Sequence, residues 1–356
     1  MLVIDILFLS LWRTASSLMI PKLLSRFNMF LINMILTGKI IYMKRGIAVK
    51  TFGYVSGILA AVTFGSVSTI AKPVVSSVNP LLLSLLVYLI ASATLSPIAI
   101  QRKNSHMLNV AKKEKRKKDY FLVVVIALAG GVIAPSLYFA GLQQTSASNA
   151  TLLANSEIIF TVAIAIAFFE ERLRAQGYVG TILVLAGVII TTTNLQIDGH
   201  ALFSQEMYYG NLLILVSTLF WAIDNNLSKV VAQRIENVAK IVQLKGVIGG
   251  ALLLVVVGTF NIPPGRIGVN QIIPIILLGS VGFGGSLYFF LEALKCIGTV
   301  RTVLLFSLSS VFGLLFAAVF LREQVSVYQM MAAVIILFGI YMINRKDVSQ
   351  PVVGRV

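Results

Sequence analysis

Stretches of apolar residues recur along the chain at 52–71, 80–100, 120–142, 146–169, 176–194, 209–228, 238–260, 271–294, 299–321 and 326–344, broken only by short polar links. Each is close to the roughly 20 residues that a helix needs to cross a bilayer. In hydrocarbon every backbone N–H and C=O must find its partner inside the segment, so runs this long and this uniformly apolar predict helices. Ten spanning helices are expected, with links as short as Gln143 to Thr145 making hairpins of neighbours.

Lys and Arg are distributed unevenly over the links. Arg102, Lys103 and six more fall between residues 101 and 118, and Arg172, Arg174, Arg234, Lys240, Lys295, Arg301, Arg345 and Lys346 fall in every second link after it. The opposite links hold only Lys72, Arg266 and Arg322. Basic links stay on the cytoplasmic side. The chain is therefore expected to be a multi-pass protein of the cell membrane, with both ends of the ten-span unit cytoplasmic. Residues 1–50 form an N-terminal extension: MLVIDILFLSLW is too short to span, and Asn28 to Met43 is marginal and interrupted by Lys39. No small-residue cleavage site follows, and Met43-Lys44-Arg45 stands as a natural start just before the first good span, so an over-extended start or a membrane-surface segment is preferred to an eleventh helix.

Composition agrees with a bilayer solvent. The chain is 58% hydrophobic and 12% charged, against about 25% charged in soluble domains. Its net charge of +16 does not argue for nucleic acid, because eight basic residues crowd one loop, read first as a topogenic signal and second as an anionic-lipid patch. Cys296 is the single cysteine, and His106 and His200 lie in polar connections. Nothing here suggests a disulfide, a metal site or a cofactor.

The sequence also repeats. An offset of 152 lays Phe168 to Leu173 on Phe320 to Val325, with Glu171 on Glu323, and brings Leu153 onto Leu305 and Gly187 onto Gly339. An offset of 157 lays Gly53 on Gly210, Phe64 on Trp221 and Lys72 on Lys229. Two five-span halves follow, 51–194 and 208–345, with a non-cytoplasmic linker at 195–207 and a cytoplasmic tail at 346–356. Five is odd, so consecutive halves enter the membrane from opposite sides, the inverted repeat of many secondary transporters.

This doubled pattern, a small-residue-rich helix followed by Glu171 or Glu323, a short polar turn and an apolar helix with a late glycine, Gly187 or Gly339, resembles the EamA family of the drug/metabolite transporter superfamily. The resemblance covers residues 52 to 345. It implies a ten-helix carrier that exports or exchanges metabolites, amino acids or drugs by proton coupling or facilitated diffusion. One departure is that spans four and nine lack the mid-helix proline common in the family, which puts a kink there in doubt.

Several residues are candidates for chemistry. Glu157 lies near the middle of span four beside Asn155, where a carboxylate is costly unless paired, hydrated or protonated. It is expected to face a cavity, exchanging a proton for substrate or receiving an ammonium group, with a neutral hydrogen-bonded acid as the structural alternative. Asp224, Asn225 and Asn226 in span six point around different faces, so at most two line one cavity; Asp224 meeting another helix or the cytoplasmic interface, with simple hydration there, is the equal alternative. Lys245 in span seven is expected to snorkel to the surface, with pairing to Asp224 or Glu292 as a gate the alternative. Glu171 and Glu323 fall at helix ends and are read as structural, bonding the start of the next helix. Tyr138, Trp221, Tyr288 and Phe64 are candidate cavity walls, with lipid or interface contact the equal alternative for these rings, and Ser309 is a further polar lining residue. Gly53, Gly57, Ala61 and Gly65 make a close-packing stripe, and Gly130, Gly131 and Pro135 predict a bend.

The function expected is a secondary transporter of small metabolites, working as an exporter by alternating access. A lipid-carrier flippase or a nucleotide-sugar-type transporter of the same fold is the alternative. An intramembrane enzyme is least supported, since no clustered nucleophile or metal set is present. The partners expected are a small solute, the bilayer, a coupling proton and a second copy in a homodimer.

Overall fold

The computed structural model describes residues 46–101, 117–169, 174–193, 205–232, 238–263 and 267–344. The N-terminal extension to residue 45, the core of the basic loop, most of the 195–207 linker, the tail, both histidines and Glu171 lie outside the described residues. Residues Met1 to Gly53 and Tyr54 to Val356 form separate units, and the second holds every side-chain contact described below.

All the described elements are helices: α1 (Gly46–Val75), α2 (Pro80–Gln101), α3 (Lys117–Ala127), α4 (Ala134–Gln144), α5 (Ala147–Leu153), α6 (Ser156–Phe169), α7 (Ala175–Thr193), α8 (Gln205–Ala232), α9 (Val238–Thr259), α10 (Val269–Leu277), α11 (Ser286–Ile297), α12 (Thr299–Phe306), α13 (Ser309–Phe320) and α14 (Val327–Asn344). Among the described residues seven helical stretches are long and apolar enough to cross a membrane, and 175–191 and 327–343 are apolar but shorter. α8 is 28 residues long and carries Asp224, Asn225 and Asn226 within it.

Four expected spans are not simple α-helices. A π-helical turn, Leu128–Ile133, joins α3 to α4, and another, Leu278–Gly285, joins α10 to α11. They stand at the same place in the two halves, Gly130 plus 152 being Gly282. The bend expected from Gly130, Gly131 and Pro135 thus takes the form of a widened turn, with Pro135 at the start of α4, where its missing N–H does least harm. Such turns collect at functional sites.

The other two discontinuities are two-residue turns that break the helix pattern. α5 ends at Leu153 and α6 begins at Ser156, while α12 ends at Phe306 and α13 begins at Ser309. Asn155 plus 152 is Ser307, so these breaks also correspond. The helices are interrupted at these points without a proline, and side chains bond carbonyls at each interruption. Asn155 Nδ2 donates to Leu152 O at 3.0 Å, Ser156 Oγ to Leu153 O at 2.7 Å and Ser307 Oγ to Leu304 O at 2.8 Å.

The two breaks touch. Asn155 Nδ2 donates to Ser310 Oγ at 2.5 Å, and Gly313 packs on the Thr151 side chain with no room for a Cβ. The glycine stripe of α1 lies along the same broken span, Gly57 against Leu305 and Gly65 against the Ser309 carbonyl, where a Cβ would come within 2.6 Å of the oxygen. Gly65→Val is therefore expected to push α1 off the break and cost about 1–3 kcal/mol, as overpacking does. Thermal melts followed by size-exclusion chromatography would read this as a lower midpoint, with Gly258→Ala, which meets nothing within 4 Å, as the unchanged control. The late glycines of the repeat serve packing in the same way: Gly187 meets Ile336 on α14, and Gly339 meets Gly180 and Val184 on α7.

Candidate functional site

Interior charge gathers where α2, α8, α9 and the first π-helical turn converge. Asp224 forms an ion pair with Lys245, and both are buried. Ser228 Oγ donates to the other Asp224 oxygen at 3.1 Å. Lys245 does not snorkel: its ammonium stays inside because a carboxylate from the adjacent helix is in reach. Gly130 makes the room, since a Cβ there would lie within 2.7 Å of Asp224 Cβ and closer still to its carboxylate. The Tyr88 hydroxyl donates to the Gly130 carbonyl, so α2 ties down the turn that shelters the pair.

Asp224, Asn225 and Asn226 do point to different faces. Asn226 is buried and donates to Ala222 O at 2.9 Å. Asn225 is exposed and donates to Glu157, which is half-buried. A carboxylate and a carboxamide open to their surroundings this far along a span need a polar cavity in front of them. Ser156 and Thr218 share a 2.7 Å hydroxyl contact that holds α6 to α8 beside them. Glu157 lies within Coulombic range of both Asp224 and Lys245. Two acids and one base leave this group with a net charge of −1 when all are ionised.

Aromatic rings stand next to it. Trp221, one turn before Asp224, packs against Phe64 at 6.4 Å and Tyr138 at 5.2 Å between centroids. Phe64 also meets Phe306 at 5.1 Å and Phe283 at 6.5 Å, and Tyr88 meets Phe283 at 5.7 Å. Phe64 and Trp221 are the pair that the repeat superposes, and residues equivalent in two halves can touch only near the axis relating them. The Tyr138 hydroxyl shares a 2.7 Å contact with Ser68 Oγ.

A second polar group surrounds the turn between α4 and α5. Lys72 Nζ donates to the carbonyls of Leu142 at 2.8 Å, Gln143 at 3.3 Å and Thr145 at 2.5 Å. Glu323 accepts from the N–H of Ala147 at 2.8 Å and of Ser148 at 2.9 Å, and from Ser148 Oγ at 2.6 Å. Glu323 was expected to bond the start of the next helix. It serves instead the start of α5 in the other half, while the start of α14 is closed locally by Ser326 and Gln329.

Of the remaining candidates, Asn155 holds the break and bonds Ser310, Ser309 is buried with its carbonyl against Gly65, Tyr288 is buried on Phe289 at 5.6 Å, and Glu292 is buried in α11. Tyr88, Ser68, Phe283 and Phe306 escaped the sequence reading. Lys72 had a signal in its repeat partner, but its grip on the turn did not.

Apolar helices of spanning length packed around a buried ion pair define a multi-pass membrane protein. The chain belongs to the EamA-like transporter family, within the drug/metabolite transporter superfamily; the family matches residues 51–193 and 208–345. It is 29% identical over 306 residues to an uncharacterized transporter of Methanothermobacter thermautotrophicus, covering 83% of this chain and 86% of that one. It is 25% identical to human solute carrier family 35 member F6, covering 62% and 65%, and 23% identical to a WAT1-related protein of Arabidopsis thaliana, covering 64% and 70%. A solved crystal structure shares the fold with a TM-score of 0.59 at 18% identity, covering 82% of this chain and 95% of that one.

Proposed function

We propose that the protein is a secondary transporter of ten spans in two inverted halves, 51–194 and 208–345, which exports small amine-bearing metabolites, amino acids or related solutes and drugs, by alternating access. Both ends of the unit are cytoplasmic, and a proton is the coupling ion.

One observation carries this reading. Glu157 is half-buried near mid-span, its hydrogen-bond partner is the neutral Asn225, and the adjoining Asp224–Lys245 pair leaves the cluster net negative when all three are ionised. A protonated amine satisfies such a carboxylate, and ring faces such as those of Phe64, Tyr138 and Trp221 attract cations further. The Lys245 ammonium, already paired, becomes available to a substrate carboxylate if Asp224 turns to the amine. The same charge balance disfavours the phosphate-bearing headgroups of a lipid-carrier flippase or nucleotide-sugar carrier, which call for net positive sites.

The test is counterflow in proteoliposomes with pooled amino acids and amines, under an imposed pH gradient. Glu157→Gln is expected to keep the fold and abolish the response to the gradient, because a carboxamide cannot exchange a proton. Unaltered gradient dependence in that variant would remove Glu157 as the coupling group.

A further inference from the structure

Three side chains one turn apart, Phe64, Ser68 and Lys72, form a single row along α1. The row runs from the aromatic cluster to the α4–α5 turn, and each position along it is engaged. Phe64 packs into the rings. Ser68 contacts Tyr138 Oη at 2.7 Å and accepts from Thr151 Oγ1 at 2.8 Å. Lys72 holds the last carbonyls of α4, and Glu323, from the other half of the chain, holds the first amides of α5. Gln329 Nε2 adds a 2.7 Å bond to Asn149 Oδ1, and Thr145 Oγ1 a 2.6 Å bond to Asn211.

We propose that Lys72 and Glu323 form a latch, closing the path between the aromatic cluster and the membrane face that carries the α4–α5 turn, and that by fixing α5 they position Asn155 and Glu157. The bonds are of the kind a latch needs. A cation on helix C-terminal carbonyls and a carboxylate on helix N-terminal amides are charge-assisted and favoured by both helix dipoles. They are also replaceable, because the turn lies at a helix end and the Lys72 bond to Gln143 is exposed, so water can serve the same groups when the latch opens. Its reach to the site is short. α5 has seven residues and ends at the break, with Glu157 four residues beyond its last residue, Leu153, so the hold on Ala147 and Ser148 fixes the depth and rotation at which the Glu157 carboxylate is presented. The two halves thus meet at the latch: Glu323 releases α5 only if they separate on this face.

The test measures accessibility. In a Cys296→Ser background, Ser68→Cys places one thiol beneath the latch, and a membrane-impermeant maleimide is applied to either face in right-side-out and inverted vesicles. Glu323→Gln or Lys72→Met is expected to raise labelling from the turn-bearing face roughly ten- to hundredfold, the range for loss of charged hydrogen bonds, and to lower labelling from the opposite face. Unchanged labelling from the turn-bearing face overturns the proposal. So does a rise from both faces together, the mark of a loosened fold in which Glu323 is only a staple. No solute enters the measurement, so its failure leaves the transport reading standing, while one-sided gating without any counterflow would sink that reading alone.

Discussion

Lys245→Met and Asp224→Asn, each alone, are expected to destabilise the protein by about 3–5 kcal/mol, the usual cost of orphaning one member of a buried ion pair. The pair is largely shielded from water, Lys245 being buried and Asp224 almost wholly so. The double variant Lys245→Met/Asp224→Asn is expected to recover most of that loss, since no uncompensated charge is left behind. Transport separates structure from function here. If the pair opens to admit a zwitterionic or cationic solute, the double variant regains its melting temperature and stays inactive in counterflow. Melting temperatures of all three variants, with counterflow on the double, check this; recovery of both would reduce the pair to a structural contact.

Gly130→Ala is expected to be almost as damaging, although it adds one methyl group to a helix and would normally favour it. The new Cβ meets Asp224 along its whole length, from the carboxylate to a Cβ 2.7 Å away, and retreat of the carboxylate alone does not relieve it. Either α8 moves off the π-helical turn or the ion pair to Lys245 breaks, so the loss approaches that of Asp224→Asn. Gly131→Ala, whose Cβ would find its nearest neighbour at 3.3 Å, is expected to be milder. Expression, monodispersity and melting temperature of the two variants compare the adjacent glycines directly; equal stability would show that the turn yields more readily than its packing indicates.

Much of the architecture was legible in the sequence because hydropathy is a local property, and each span must satisfy its own backbone. The repeat was legible too, and with it the correspondence of Phe64 and Trp221 and of the late glycines. Pairings across the fold were not. Lys245 and Asp224 sit on neighbouring helices whose rotation is set by packing, and the length of a lysine stem fits snorkelling and pairing equally. Glu323 bonds Ala147 and Ser148 from 176 and 175 positions away, so nothing beside it in sequence could identify its target. The breaks left a fainter mark: Asn155, Ser156 and Ser307 are short polar residues in otherwise apolar runs, and each bonds a carbonyl three residues back. Proline is not the only residue that marks such an interruption. Likewise Gly130–Gly131 and the glycines from Gly279 to Gly285 signalled weakness but not the widened form it takes.

Trp221, set among Phe64 and Tyr138 a turn from Asp224, is one of only two tryptophans in the chain, the other being Trp12. With Trp12→Phe in place, the tryptophan fluorescence of the protein comes from one indole within the aromatic cluster beside the charged site. Occupancy then reports itself optically: an arriving solute changes the polarity and quenching around that indole, so candidate ligands can be titrated in detergent with no label and no vesicles.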